Sequence, residues 1–342
     1  MEYRELGKSG IMVHPVAMGC WAFGGGSYWG EQSQKDVDAV VSRAFELGIN
    51  FFDTAELYNE GESESSLGLA LGARRSEAVI CTKVTPDNAY EKELIEHCDA
   101  SLKRLNTDYI DLYLLHWPIN PPSVGAFTSN QQKLDRLPTI EEALGAMTHL
   151  KKEGKIRSFG VSNFGVLQME EALAVAPDID VNQITYNIFS RAIEKSILPY
   201  CEKHDISIIG TMTLQQGLLT GAFRSAAELP VNQRESRHFH VYGNAGAEDE
   251  IFTALPQLEE IAAGIGCTLP QLAIAWAVYR KGVAAALTGS RTIGELDENF
   301  KAASIALDGA VVSRIDEISR PVLDLLGDSP DFYMSGDNCR IF

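Results

Sequence analysis

The sequence predicts an α/β protein folded as one (β/α)8 TIM barrel with long loops after its strands. Three observations predict it. Short runs rich in β-branched or aromatic residues alternate with longer segments of helical period, about eight times along the 342 residues. No GxGxxG follows the first run, which argues against an open doubly wound sheet. No internal repeat, low-complexity tract or Pro/Gly/Ser-rich linker divides the chain, so residues 1–342 read as a single domain with a tail over 328–342.

The expected strands cover residues 13–18, 49–52, 78–82, 110–114, 158–161, 181–184, 206–210 and 284–287. Between the first two, a helix over 33–47 puts Val37, Val40, Val41, Ala44, Phe45 and Leu47 on one apolar face and stops at Gly48. A second clear helix, 143–152, stops before Gly154 in the same way. Three segments exceed a minimal barrel: 119–138, 224–250 and 328–342. Loops after the strands build barrel active sites, so the first two are expected substrate walls.

Composition narrows the function classes. With 45% hydrophobic and 22% charged residues the chain is globular, and 47 acidic against 29 basic residues give a net charge of −18. That charge repels nucleic-acid phosphates and anionic membranes, so neither is an expected partner. No run approaches the length of a membrane span and the opening MEYRELGKSG lacks the apolar core of a signal peptide, so a cytoplasmic location is expected. Cys20, Cys81, Cys98, Cys201, Cys267 and Cys339 are scattered without a CxxC pair and suggest neither disulfides nor zinc.

Against this acidity, NQRESRHFHVYGN concentrates Arg234, Arg237, His238 and His240 and is expected to attract an anionic substrate. Its two histidines lack the third ligand a metal site needs, so no metal is expected. Phe332, Tyr333, Met334 and Phe342 in the tail leave three readings open: a cover over the barrel mouth, a contact with a neighbouring subunit, or a surface-packed terminus.

Chemistry gathers at the strand ends. NFFDTAELYNEG places Asp53 at the end of the second strand and Tyr58 five residues later, CTK ends the third strand at Lys83, and LLHW ends the fourth at His116. Consecutive barrel strands end at one rim, so these groups meet. A buried Lys83 needs a carboxylate, which Asp53 supplies, and a cation beside Tyr58 is expected to lower the phenol's pKa toward a general acid's working range. His116 can orient a carbonyl oxygen. Such a cluster delivers a proton to an oxygen that gains negative charge during reduction.

The blocks GINFFDTAELYNEGESE, VICTKV, DYIDLYLLHWP, LKKEGKIRSFGVSNF and ILPYCEKHDISIIG resemble, in order and over nearly the whole chain, the recurring blocks of the aldo-keto reductase superfamily. The resemblance implies a barrel that binds an extended nicotinamide dinucleotide without a Rossmann domain, and a catalytic tetrad of Asp53, Tyr58, Lys83 and His116 with Tyr58 as proton donor. It implies that Ser162, Asn163 and Gln183 hold the nicotinamide carboxamide. TMTLQQGLLTG matches a pyrophosphate strap through Leu214, Gln216, Gly217 and Leu219, and LTGSRTIGELDEN the adenosine end through Gly289, Ser290, Arg291, Glu295 and Asn299. Trp21, Asp53, Thr211 and Met212 complete the implied cofactor contacts.

Two departures stand out. Thr211, Met212, Thr213 and Leu214 occupy the place where many relatives have Tyr-Ser-Pro-Leu, which removes an aromatic ring from the nicotinamide, and Thr288-Gly289 replaces a common Pro-Gly. Arg291 can pair a 2′-phosphate bidentately and with the family's bias favours NADP(H) over NAD(H), while Glu295 opposes that preference. Trp21, Tyr28, Trp29 and Trp117 can form an apolar or sugar-stacking pocket beside Tyr58 and His116. The expected function is reduction of an aldehyde or ketone, or oxidation of a sugar-like or polyol alcohol. The rivals are an NAD-dependent polyol dehydrogenase and a cofactor-sensing subunit resembling potassium-channel β subunits. The partner is a small molecule, and a homo-oligomer is compatible with the sequence.

Overall fold

Strands buried along almost their whole length, as β5 (Val79–Val84) and β6 (Ile110–Leu115) are, belong to a parallel sheet covered on both faces. The computed structural model describes residues 2–240 and 246–342. Its barrel strands are β3 (Val16–Gly19), β4 (Phe51–Asp53), β5, β6, β7 (Ile156–Ser162), β8 (Val181–Thr185), β9 (Ser207–Thr211) and β10 (Val283–Gly289). They pair in sequence order, all parallel, and β10 closes onto β3. Helices cover the outside.

The expected first strand, 13–18, is divided. Residues 12 and 13 form β2 (Met12–Val13), which pairs antiparallel with β1 (Arg4–Glu5), and the barrel strand begins only at Val16. Pro15 has no N–H to give a ladder and sits at the break, its carbonyl accepting from Ala286 N at 2.8 Å. Leu6, Ile11 and Val13 of this hairpin join the apolar cluster inside the barrel, so the hairpin plugs its lower end. The other seven strands lie where expected, with ends moved by no more than two residues.

Capping sets the helix boundaries. Gln34–Glu46 starts where the Ser33 hydroxyl accepts from Asp36 N and buries Val37, Val40, Val41 and Ala44. The helix expected over 143–152 begins earlier, at Ile140, because Thr139 and Glu142 form a reciprocal capping box.

Side-chain alternation along the strands separates two apolar clusters. Val16, Met18, Phe52, Ile80, Tyr113 and Leu115 face the helices. Ala17, Phe51, Val79, Cys81, Leu112, Leu114, Val181 and Ile209 fill the barrel. The inward series, continued to the C-terminal rim, reaches Asp53, Lys83, His116 and Gln183.

The tail packs on its own barrel, beside the end of β6. Buried Asp331 accepts from Arg340 Nε at 2.8 Å and Nη2 at 2.6 Å, and the Arg340 guanidinium lies 3.7 Å from the centre of the Trp117 ring. The Asn120 and Gln168 amides donate to the Arg340 carbonyl at 2.9 and 2.8 Å. A Cβ at position 165 would collide with the Phe342 carbonyl, so only Gly165 allows the last residue this approach.

Burial corrects the expectation for Arg237 and His238 of the basic segment, whereas Arg234 is half-buried and His240 exposed. Arg237 is 7% exposed and donates to the Leu326, Ser329 and Asp331 carbonyls, which ties the tail down. His238 is 3% exposed, contacts Ser190 Oγ and the Phe189 carbonyl, and packs on Phe332. His240 pairs with Glu248, and residues 241–244 of the segment lie outside the described residues. Arg237 and His238 therefore serve the tail instead of drawing an anionic substrate.

Burial lowers His238 from 6.5 to about 3. The unfolded chain takes up this proton near 6.5 and the folded one only near 3, so the contribution is present above 6.5 and is lost as pH falls toward 3. Tm measured against pH should fall less steeply across that window in His238→Gln than in the unsubstituted protein; equal slopes would show that other groups govern acid unfolding.

Candidate active site

Adjacent parallel strands in register bring their inward residues together at the upper rim. β4 pairs Asp53 with Cys81, and β5 pairs Lys83 with Leu114, so both polar residues occupy the layer above the apolar filling. Lys83 is fully buried and its Nζ lies 2.9 Å from each Asp53 carboxylate oxygen. It also donates to the Thr54 carbonyl at 2.6 Å and to Tyr58 Oη at 3.2 Å. Gln183 Nε2 donates to Asp53 Oδ1 at 2.7 Å, giving that carboxylate a second donor from the opposite wall. The Tyr58 and His116 rings meet edge to face, 5.8 Å between centres.

Tyr58 is held by an unusual backbone. Asn59 and Glu60 adopt left-handed φ values of 50° and 55°, and Asn59 Nδ2 donates to the Trp21 and Phe23 carbonyls at 3.2 and 2.9 Å. This fixes Tyr58 against the loop after β3. Asn163, also left-handed, donates to the His116 carbonyl at 3.0 Å and to Ser162 Oγ at 3.1 Å.

The protonation states follow from burial and charge. Burial outweighs the Lys83 charge at Tyr58 and pushes the hydroxyl up to about 12, which reverses the sign expected from the sequence. Burial also works against the Lys83 charge, but the facing Asp53 overrides it and holds the ammonium above its ordinary value. His116 is pushed well below 6.5, by burial first and by Lys83 second, so its ring is neutral at physiological pH. Its Nδ1 has no hydrogen-bond partner among the described residues.

Beside the tetrad lies a cavity of about 400 Å³. Of the expected cofactor residues, Trp21, Asp53, Thr211, Met212, Leu214, Gln216, Gly217, Gly289, Arg291 and Glu295 line it. Ser162, Asn163 and Gln183 stand apart, around His116 and Asp53. Leu219 lies in the core, and Asn299 ties the turn after β10 by donating to Ser290 Oγ at 3.0 Å and the Gly289 carbonyl at 3.3 Å. Of the expected substrate residues, Trp21, Trp29 and Tyr58 line the cavity, and Tyr28 stacks on Trp21 at 4.8 Å. Trp117 carries Arg340 on its ring and does not line it.

Gly19, Ala22, Thr220, Ala222, Phe223 and Leu287 line the cavity without having been singled out in the sequence, Thr213 and Thr288 line it at positions read above only as departures from the family pattern, and Gln233 comes from the segment 224–250 expected as a wall. Leu287 and Thr288 precede the recognised glycine of β10, whereas Phe223 and Gln233 come from a long loop whose course no local pattern reveals.

The sequence profile of the aldo/keto reductase family matches residues 15–320. The chain belongs to this family. It is 33% identical over 308 residues to the aldo-keto reductase YhdN of Bacillus subtilis, covering 87% of each chain. It is 30% identical over 337 residues to a probable voltage-gated potassium channel subunit beta of Arabidopsis thaliana, covering 93% of this chain and 96% of the other. Among solved structures, an aldo-keto reductase from Klebsiella pneumoniae in complex with NADPH superposes with a TM-score of 0.73 at 26% identity, covering 94% and 96% of the two chains. Membership makes this aldo-keto reductase an oxidoreductase, and its structure sets the Tyr58 hydroxyl against Lys83 at the polar rim.

A hydroxyl pushed up to about 12 keeps its proton at lower pH and loses it only as pH rises through that value. The Tyr58 hydroxyl should therefore stay protonated between about pH 6 and 9, read as no tyrosinate absorbance in the difference between the unsubstituted protein and Tyr58→Phe across that window. Tyrosinate absorbance from Tyr58 appearing inside that window would show that the Lys83 charge, not burial, governs the hydroxyl.

Proposed function

We propose that this chain is a cytoplasmic NADP(H)-dependent oxidoreductase that reduces an aldehyde or ketone, or in reverse oxidises a sugar-like or polyol alcohol, with Tyr58 as general acid. The reading rests on one observation: a fully buried ammonium, Lys83, touches both a carboxylate and the Tyr58 hydroxyl. Tyr58 gives its proton to the substrate oxygen, and Lys83 stabilises the phenolate left behind. Asp53 keeps Lys83 charged and aimed. Neutral His116 supplies a hydrogen bond to the same oxygen, and Trp21, Tyr28 and Trp29 keep water away.

The donor set suits a nicotinamide dinucleotide, which supplies the hydride when bound. Gln183 spends Nε2 on Asp53, and Asn163 spends Nδ2 on the His116 carbonyl and Ser162, so each offers an amide oxygen as an acceptor matched to a carboxamide N–H2, while the Ser162 hydroxyl would turn from the Gln183 carbonyl to donate to the carboxamide oxygen. Leu214, Gln216 and Gly217 would hold the pyrophosphate, on a strap turned by left-handed φ values of 53° at Gln216 and 97° at Gly217. Gly289, Ser290, Arg291, Glu295 and Asn299 would hold the adenosine end. The NADPH complex of the Klebsiella enzyme supports NADP(H). The plant relative favours a second reading, a cofactor-sensing subunit, which co-purification with a membrane complex would distinguish. Among the described residues no single helix is long and apolar enough to cross a membrane.

Tyr58→Phe should lower carbonyl reduction by about 10²-fold while NADPH affinity, read by fluorescence titration, stays within about two-fold. Turnover near that of the unsubstituted enzyme would remove Tyr58 as proton donor.

A further inference from the structure

Arg291 lines the cavity, yet its guanidinium is turned onto the loop after β3. Nε donates to Gln32 Oε1 at 2.8 Å, Nη1 to the Trp29 carbonyl at 2.8 Å and Nη2 to the Glu31 carbonyl. Gln32 returns the contact, its Nε2 donating to the Arg291 carbonyl at 3.1 Å. One amide thus grips both the side chain and the main chain of a residue 259 positions away. The Arg291 backbone N–H is spent on Glu295 Oε2 at 2.7 Å, which keeps that carboxylate at the main chain.

A guanidinium has five N–H donors, and the three bonds leave two for an incoming anion. An anion is captured well only when such donors are held as an oriented pair on a cation whose charge is not already cancelled. Gln32 meets both conditions, because it fixes the guanidinium through Nε and carries no charge of its own. We infer that Gln32 is a positioning residue that sets the preference between 2′-phosphorylated and unphosphorylated nicotinamide dinucleotides, acting through Arg291. The inference rests on the reading that this groove takes such a dinucleotide.

Direct binding separates this role from its rivals. NADPH and NADH are titrated by quenching of protein fluorescence, Trp21 and Trp29 lying in the groove. Gln32→Glu places a carboxylate on Arg291 Nε and should weaken NADPH by about ten-fold while NADH changes by less than about two-fold, with the difference shrinking at high salt. Arg291→Ala should remove the discrimination, and adding Gln32→Glu to it should then produce no further loss specific to NADPH. A loss specific to NADPH that persists without Arg291 would mean direct repulsion and would overturn the inference. Equal losses for the two cofactors in Gln32→Glu would overturn it as well, by reducing Gln32 to a loop tie, as would no change for either. If NADPH and NADH both fail to bind the unsubstituted protein, the groove assignment itself falls and the inference with it; discrimination lost in Arg291→Ala but untouched by Gln32→Glu overturns the inference alone.

Discussion

An ammonium with no solvent contact has to be compensated where it stands, and much of this molecule's upper rim is arranged around that requirement at Lys83. Desolvation of such a charge is repaid only by close, well-aimed partners, and removing one partner of a buried pair generally costs about 3–5 kcal/mol. Asp53 contributes both carboxylate oxygens, Thr54 a carbonyl and Tyr58 a hydroxyl. Gln183 braces Asp53 from across the barrel. The same arrangement that makes the charge tolerable also places a cation against the Tyr58 hydroxyl, the group proposed to give up a proton.

Strand register explains why these groups meet without any local signal of proximity. Along β5, Val79 and Cys81 fill the barrel and the next inward position is Lys83; along β6, Leu112 and Leu114 are followed by His116; along β8, Val181 is followed by Gln183. Apolar packing below thus dictates the orientation of polar groups above. A slip of one residue in any of these strands would turn its functional side chain toward the helices.

This is also why the barrel and the meeting of Asp53, Lys83 and His116 are legible in the sequence: strand-end residues follow from period-two patterning, and their convergence follows from closure. Where the reading failed, a competing effect had to be weighed in three dimensions. Pro15 ended a strand that the apolar run alone would have carried from residue 13 to 18. At Tyr58 the Lys83 charge was foreseen, but the extent of burial was not, and burial won. Arg237 and His238 looked like an exposed basic patch because composition does not say which side of a loop faces water. Arg291 was recognised as a cation near the adenosine end, while its bond to Gln32 spans 259 positions and has no local signature.

The parts that escaped the sequence share a physical character. The strand-borne groups are positioned by continuous apolar packing and by the barrel's hydrogen-bond ladder, so their placement is inherited from the fold. The loops around them are fixed by separate polar ties between distant segments: Arg291 to the loop after β3, Gln216 and Asn232 to Tyr28, and Arg340 to Asp331 and Trp117. The ties at Arg291 and Tyr28 involve few, partly exposed residues and can be changed without repacking the core, whereas Arg340, Asp331 and Trp117 are buried. The proton transfer proposed for the Lys83 cluster and the cofactor preference proposed for Gln32 and Arg291 therefore belong to mechanically different parts of the molecule, one held by the barrel strands and the other by polar ties between loops.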